Sequence, residues 1–169
     1  MSMKGTPPPF AFLLRHPAHF VALGFGAGLA PVAPGTFGTL VAIPLAFLLT
    51  RAGDAAYAVA TAFLFAAGVW SSSVAGRNLR VPDHGSIVID EVVAFLIVLY
   101  FTGLDPLRIV AAFLLFRLFD IVKLPPARAI DRHWHGGLGV MLDDLVAAGY
   151  ALVVFALAVR ARDALVAGS

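Results

Sequence analysis

The sequence contains no cysteine and is poor in charged residues. Without thiols the chain forms no disulfide framework, no zinc–thiolate site and no cysteine-nucleophile active site. Lys, Arg, Asp and Glu make up 13% of its 169 residues, about half of the ~25% found in soluble domains. The formal net charge of +2 is too small for a nucleic-acid-binding surface. These shortages exclude a soluble enzyme and a nucleic-acid partner as first interpretations.

Apolar residues, in contrast, make up 60% of the chain. Residues 55–76 carry no formal charge between Asp54 and Arg77, and a helix of that length covers the hydrocarbon core of about 30 Å. The sequence therefore predicts an all-α fold, a small polytopic bundle of membrane helices. We expect crossings at about 39–50, 55–76, 92–104, 107–122 and 145–159.

The chain is expected to form a single membrane-embedded domain over residues 20–160. It would be preceded by an N-terminal cytoplasmic segment, 1–19, and followed by a C-terminal tail, 161–169. The apolar stretch at 10–14 is too short for the core of a signal peptide, so we expect no cleaved signal. Faces rich in glycine and alanine are compatible with an oligomer as well as with packing inside one chain.

Residues 20–38 are apolar but dense in glycine and proline, which is incompatible with one straight helix. We expect short, broken helices and a re-entrant-like loop here, followed by a helix from about Thr39. Irregular backbone at membrane depth must be buried in protein or line a polar cavity. The loop is therefore a candidate site, in which Thr36 and Thr39 either cap the next helix or bind an anion.

Lys and Arg are distributed unevenly along the predicted topology. With the N-terminus in the cytoplasm, eight of the twelve fall on the inside and four on the outside, which agrees with the positive-inside rule. This orientation brings the Gly/Pro-rich loop, the region of Asp90 and residues 120–144 to the cytoplasmic headgroup plane.

Eight of the ten carboxylates lie between residues 83 and 144. Hard oxygen ligands without thiols favour Mg²⁺ or Ca²⁺. Acidic residues in a first helical turn also stabilise the helix by about 0.3–1 kcal/mol, so the grouping rather than any single residue indicates a metal site. Asp105 belongs to the opposite loop, and the seven on the predicted cytoplasmic side are Asp83, Asp90, Glu91, Asp120, Asp131, Asp143 and Asp144.

Residues 116–144 contain further charged and polar residues that could take part in chemistry. Arg117, Asp120 and Lys123 are spaced so that the aspartate reaches both cations on one helical face, or forms a simple internal ion pair. A glycine-rich turn, which allows close approach of a phosphate to the backbone, then follows the polar residues Asp131, Arg132, His133 and His135.

Three segments together resemble the phosphatidylglycerophosphatase A family of membrane-embedded, Mg²⁺-dependent lipid phosphatases. They are GFGAGLAPVAPGTFGT (24–39), DHGSIVIDEVVAF (83–95) and FRLFDIVKLPPARAIDRHWHGGLGVMLDD (116–144). The resemblance implies hydrolysis of phosphatidylglycerophosphate to phosphatidylglycerol at the bacterial cytoplasmic (inner) membrane, with the site facing the cytoplasm. The chain departs from the family pattern at Leu124, Ala94 and Ala148, which affects packing rather than chemistry.

With this resemblance the candidate residues take roles in a metal-assisted attack of water on the phosphomonoester. Metal ligands would come from Asp90, Glu91, Asp143, Asp144 and Asp83. Phosphate would be held by Arg132, Lys123, Thr36, Thr39 and His135. The catalytic carboxylates would be Asp90, Glu91, Asp131 and Asp120, and the general base stays open among Glu91, Asp131 and His135.

Two other classes of membrane protein share some of these features. A CDP-alcohol phosphatidyltransferase requires the string Asp-x-x-Asp-Gly-x-x-Ala-Arg, which is absent from the sequence. A transporter would also combine broken helices with acidic residues at membrane depth, but the chain is short and has no internal repeat. Release of phosphate in detergent separates a phosphatase from a transporter.

Overall fold

The computed structural model describes residues 5–125, 134 and 136–167, which form helices and no strand. A 3₁₀ segment, Gly24–Leu29, follows the second helix. The predicted all-α fold is confirmed. The helices are α1 (Phe10–Leu14), α2 (Pro17–Ala22), α3 (Pro34–Arg51), α4 (Asp54–Leu79), α5 (Ile89–Thr102), α6 (Pro106–Val122) and α7 (Gly137–Ala167).

Helix α5 is the centre of the bundle and packs against α3, α4, α6 and α7. Its Phe95 side chain is fully buried and stacks on Phe116 of α6, with ring centroids 5.6 Å apart. The Tyr57 hydroxyl of α4 donates a hydrogen bond of 2.7 Å to the Leu96 carbonyl. Most of α5 is buried, and its exposed side chains, Tyr100 and Phe101, lie near its C-terminal end.

Among the described residues, three helices, α3, α4 and α7, are long and apolar enough to cross a membrane. Their outer faces expose large apolar side chains such as Phe63 (72% exposed) and Leu157 (61%), as expected of surfaces that face lipid. All five predicted crossings are helices, but α5 has 14 residues and a length of about 21 Å, short of the ~30 Å core. It is a core helix enclosed by longer ones.

The Gly/Pro-rich region differs from the prediction in where its helix begins. Helix α3 begins at Pro34, five residues before the expected start, so Thr36 and Thr39 lie in its first turns rather than in a loop. Proline is well suited to the first position of a helix. The N–H that it lacks would have no partner within the helix there, and its fixed φ already matches the helical value. The irregular backbone is confined to the preceding residues, where Phe25 and Ala33 have positive φ.

Candidate metal and phosphate site

The predicted acidic residues meet at one end of the bundle. Asp90 and Glu91 occupy the first turn of α5, where the helix dipole favours negative charge. The last turns of α6 bring Arg117 and Asp120 to the same end, and α7 contributes Asp144 from its second turn. Antiparallel packing of α5 against α6 explains why residues at the start of one helix meet residues at the end of the other.

Asp90, Glu91 and Asp144 form a compact group of three carboxylates, called here the carboxylate group. Each offers an oxygen, and these three oxygens lie within 4.8 Å of one another. Asp90 is 7% exposed and Asp144 is 3% exposed. Three carboxylates in so small and dry a volume repel one another unless a cation or a proton compensates.

Each member of the carboxylate group also keeps one oxygen unused. Asp90 Oδ1, Glu91 Oε2 and Asp144 Oδ2 are buried and have no hydrogen-bond partner among the described residues. Buried polar atoms are normally satisfied, and an exception indicates a place for a water or an ion. A group of three carboxylates from two helices, each with such an oxygen, could bind a metal ion.

Two basic side chains border the carboxylate group. The Arg117 guanidinium pairs with Asp120 one turn away and approaches Glu91, with Nη1 3.7 Å from Oε1. Lys123 Nζ pairs with Asp143, which is 6% exposed. The spacing of Lys123 predicts contact with Asp120, whereas the structure shows an ion pair with Asp143 on α7. Lys123 follows the end of α6 in a left-handed conformation, with a φ of 45°.

These groups line a cavity of about 280 Å³. Asp83 and Gly85 of the α4–α5 loop form part of its wall, together with Gly35 of α3 and Ile121 of α6. Ile121 is 71% exposed, so the polar cavity has an apolar rim. The cavity is large enough for a phosphate group and its counter-ion, and small compared with a whole lipid.

The loop that carries Asp83 is held by its neighbour His84. The His84 ring is buried, and its Nδ1 accepts a hydrogen bond of 3.1 Å from the Ser86 N–H. Burial lowers the pKa of His84 below its usual range, and the negative charge of Asp83 opposes this only in part. A neutral imidazole is the form that accepts this bond, so the loop is fixed without placing another cation beside the cavity.

Several predicted site residues lie elsewhere or outside the described part of the chain. The Thr39 hydroxyl donates to the Gly35 carbonyl at 2.9 Å, and neither Thr36 nor Thr39 lines the cavity. Their role in binding phosphate stays a prediction, as do those of Asp83 and Asp143 as metal ligands. Asp131, Arg132, His133 and His135 lie outside the described residues.

Sequence reasoning misses two contributors to the site. The spacing predicts Arg117 only as an ion-pair partner of Asp120, yet it also faces Glu91. The sequence places Gly35 in a loop, yet a Cβ atom there would lie 2.1 Å from Glu91 Oε1. A contact between α3 and α5 leaves no signal in local spacing, whereas the glycine itself marks a place of close approach.

A family model and two relatives that match this chain carry the same name. The family model of phosphatidylglycerophosphatase A matches residues 20–159. "Phosphatidylglycerophosphatase A" of Escherichia coli (strain K12) is 40% identical over 135 residues, 79% of this chain and 78% of the relative. The protein of the same name from Haemophilus influenzae is 44% identical over 147 residues, 85% of this chain and 90% of the relative.

A further relative, from Bacteroides thetaiotaomicron, is 37% identical over 147 residues, 82% of this chain and 91% of that protein, and is named as a candidate phosphatidylinositol-3-phosphatase. No solved structure matches the chain. The matched region contains α3 to α6, most of α7 and every residue of the carboxylate group. The chain belongs to the phosphatidylglycerophosphatase A family.

Proposed function

We propose that this protein hydrolyses the phosphomonoester of phosphatidylglycerophosphate, releasing inorganic phosphate and leaving phosphatidylglycerol in the membrane. The observation that carries the proposal is the carboxylate group with its three unused oxygens, beside Arg117 and Lys123. Family membership and the names of the relatives supply the substrate.

The carboxylate group is proposed to hold Mg²⁺. Carboxylate oxygens are the ligands that Mg²⁺ prefers, and it binds few of them because it keeps waters and substrate oxygens in its shell. When bound, the ion would neutralise phosphate oxygens and act as a Lewis acid toward the phosphoryl group. Asp83 and Asp143, on the cavity wall, are proposed as outer ligands or as acceptors for the waters around the ion.

The basic residues have the task of holding the phosphate. Arg117 offers a planar set of N–H donors that suits a tetrahedral oxyanion, and Asp120 fixes the guanidinium in place. Lys123 supplies a second positive charge from the end of α6 and is itself held by Asp143. Arg132, predicted for the same task, lies outside the described residues.

Hydrolysis itself requires an oriented water and a proton acceptor. The water oxygen forms a bond to phosphorus as the bond from phosphorus to the glycerol oxygen breaks, and that oxygen takes up a proton. Among the described candidates we propose Glu91 as the acceptor of the water's proton, because its carboxylate borders the cavity and one of its oxygens has no hydrogen-bond partner among the described residues. Asp131 and His135 remain the alternative bases.

We propose that the cavity lies at the membrane depth of the substrate phosphate. The phosphate of a membrane lipid lies at the headgroup plane, and the cavity lies at one end of the helices that are long enough to cross. Ile121 and the exposed Leu118 of the same helix allow acyl chains to stay in an apolar environment. We place the protein in the bacterial inner membrane with this end toward the cytoplasm, as the Lys/Arg count indicates.

Phosphate release from purified protein tests the proposal. In detergent micelles with Mg²⁺, phosphatidylglycerophosphate should lose one phosphate per lipid, and a chelator should abolish the reaction. Phosphatidylinositol 3-phosphate serves as the competing substrate because of the third relative's name. Faster hydrolysis of that lipid would replace the proposed substrate, and activity that survives complete metal removal would refute the role of the carboxylate group.

A further inference from the structure

A second cavity lies at the same end of the bundle, on the α4 side of α7. It has a volume of about 360 Å³ and is bordered by Arg77 and Arg80 at the end of α4, by Ser72 one turn earlier, and by Gly136 before α7. It shares no lining residue with the carboxylate cavity. The inference drawn from it does not depend on the proposed hydrolysis.

Arg77 and Arg80 are both exposed cations. Neither forms an ion pair with a carboxylate in the described part of the chain. Elsewhere at this end of the bundle, Arg117 and Lys123 are both paired. The arginine side of this cavity therefore carries positive charge that an external anion could compensate.

Ser72 gives a second and independent indication of a ligand. Its side chain lines the cavity and is 1% exposed, and its hydroxyl has no hydrogen-bond partner among the described residues. A helical serine usually returns its hydroxyl to a preceding carbonyl, as the neighbouring Ser71 and Ser73 do. Ser72 keeps a buried donor available on the wall of a positively charged cavity.

The N-terminus of α7 adds a third favourable contribution. Gly137 begins this 31-residue helix directly against α4, and its N–H donates to Ser73 Oγ at 3.0 Å. A Cβ atom at Gly137 would lie 1.9 Å from the Val69 carbonyl oxygen, which shows how closely the two helices approach. The positive end of the helix dipole thus borders the cavity, as in many anion sites.

We infer that this second cavity binds the phosphate of an anionic phospholipid from the surrounding leaflet. Arg77 and Arg80 directly follow the apolar stretch of α4, a helix long enough to cross a membrane, and so lie where lipid headgroups lie. The ligand is a lipid held by its phosphodiester, with Ser72 as hydrogen-bond donor and the arginines as counter-charges.

Binding to delipidated protein in neutral detergent tests the inference. The probes are dioctanoylphosphatidylglycerol, phosphatidylserine and phosphatidylcholine of the same chain length, and inorganic phosphate. A chelator is present throughout, so that the carboxylate group is without a cation and repels anions. The two anionic lipids should bind with similar affinity because each carries a phosphodiester and a net negative charge. Phosphatidylcholine has the same phosphodiester, but its quaternary ammonium neutralises the charge, so it should bind far more weakly.

Variants locate the binding in this cavity. Replacing Arg77 and Arg80 by Gln should weaken the binding of anionic lipid by about fivefold for each arginine. The double variant Arg51→Gln, Arg160→Gln removes the same charge from exposed positions at the other end of the bundle and should bind normally. Ser72→Ala, which removes no hydrogen bond within the described protein, should fold normally and bind severalfold more weakly.

Three results would overturn the inference. If the control double variant lost as much affinity, the weaker binding would result from the lower net charge of the protein and not from the loss of this cavity's arginines. Normal binding by Ser72→Ala would leave only diffuse attraction by surface arginines. Competition by inorganic phosphate at concentrations similar to those of the lipids would show a site for a soluble anion instead.

Discussion

Glu91 is the residue on which most of the site's contacts converge. Its carboxylate belongs to the carboxylate group, approaches Arg117, and lies against the backbone of Gly35. The contact with Gly35 leaves no room for a side chain on α3. The position of Glu91 therefore depends on the absence of a Cβ atom at residue 35.

Gly35→Ala tests this dependence. The new methyl group would lie 2.1 Å from Glu91 Oε1 and 3.1 Å from Arg117 Nη1, so Glu91 must leave its place. We expect at least a tenfold loss of phosphate release, because misplacement of a catalytic group by about 1 Å costs up to 10²-fold. Gly149→Ala in α7 is the control, since a Cβ atom there would meet nothing within 4 Å; equal activity of the two variants would contradict the assignment.

Isosteric removal of single charges tests the carboxylate group. Asp90→Asn, Glu91→Gln and Asp144→Asn keep side-chain shape but each removes a charged ligand, and turnover should fall by orders of magnitude because phosphoryl transfer depends on positioning and charge neutralisation. Asp105→Asn is the matched control. Asp105 caps α6 at the opposite end by accepting from the Leu107 and Arg108 N–H groups, and asparagine caps equally well.

The ends of the helices, rather than their middles, place the functional groups. The first turn of α5 carries two acids, and the last turns of α6 carry Arg117 and Asp120. Helix α6 ends at Val122, Lys123 follows in a left-handed conformation, and its Nζ pairs with Asp143 on α7. The polar groups that line the cavity thus come from the neighbouring ends of α5, α6 and α7.

The two ends of α4 should be accessible from opposite sides of the membrane. Because the chain has no native cysteine, a single introduced thiol reports without background. Ala52→Cys and Pro82→Cys lie at exposed positions just beyond the two ends of α4. An impermeant maleimide should label Pro82→Cys only from the cytoplasmic side and Ala52→Cys only from the other; labelling of both from one side would refute a crossing by α4.

At the scale of the whole molecule, the described residues bring three carboxylates together at one end of the bundle, and two of them, Asp90 and Asp144, are buried. Removing three carboxylates from water without an opposite charge beside each of them costs several kcal/mol. Burial of apolar side chains in the bundle around α5 offsets this cost. A bound divalent cation would relieve the repulsion and bind the folded state alone. Stability should therefore depend on metal more strongly than it would for a surface site.

Thermal unfolding in detergent measures this coupling without any substrate. Mg²⁺ at about 100 times its dissociation constant should stabilise the folded protein by about 2.7 kcal/mol, seen as a rise in Tm. Asp144→Asn should lose most of this rise, and its metal-free Tm should equal or exceed that of the wild type because one like charge is gone. The same rise in both proteins would place the binding elsewhere.

Composition and local pattern determined that this is a helical membrane protein, and they indicated which types of residue its candidate site contains. The scarcity of charge and the long apolar runs predicted membrane helices. Apolar side chains are driven out of water whether they contact lipid or protein, so residue type alone is enough for this prediction. The grouping of acids without thiols indicated a hard metal ion. The resemblance of three segments pointed to the family that the comparisons show.

Only the tertiary structure decided which acids meet and which face cations. Asp90, Glu91 and Asp144 form the carboxylate group, whereas Asp143, next to one of them in sequence, pairs with Lys123. The side chains of adjacent residues on a helix point about 100° apart. Which partner each one meets therefore depends on where the neighbouring helices lie. The start of α3 and the contact of Gly35 with Glu91 depend likewise on how helices pack, and contacts between distant segments leave no periodic trace in the chain.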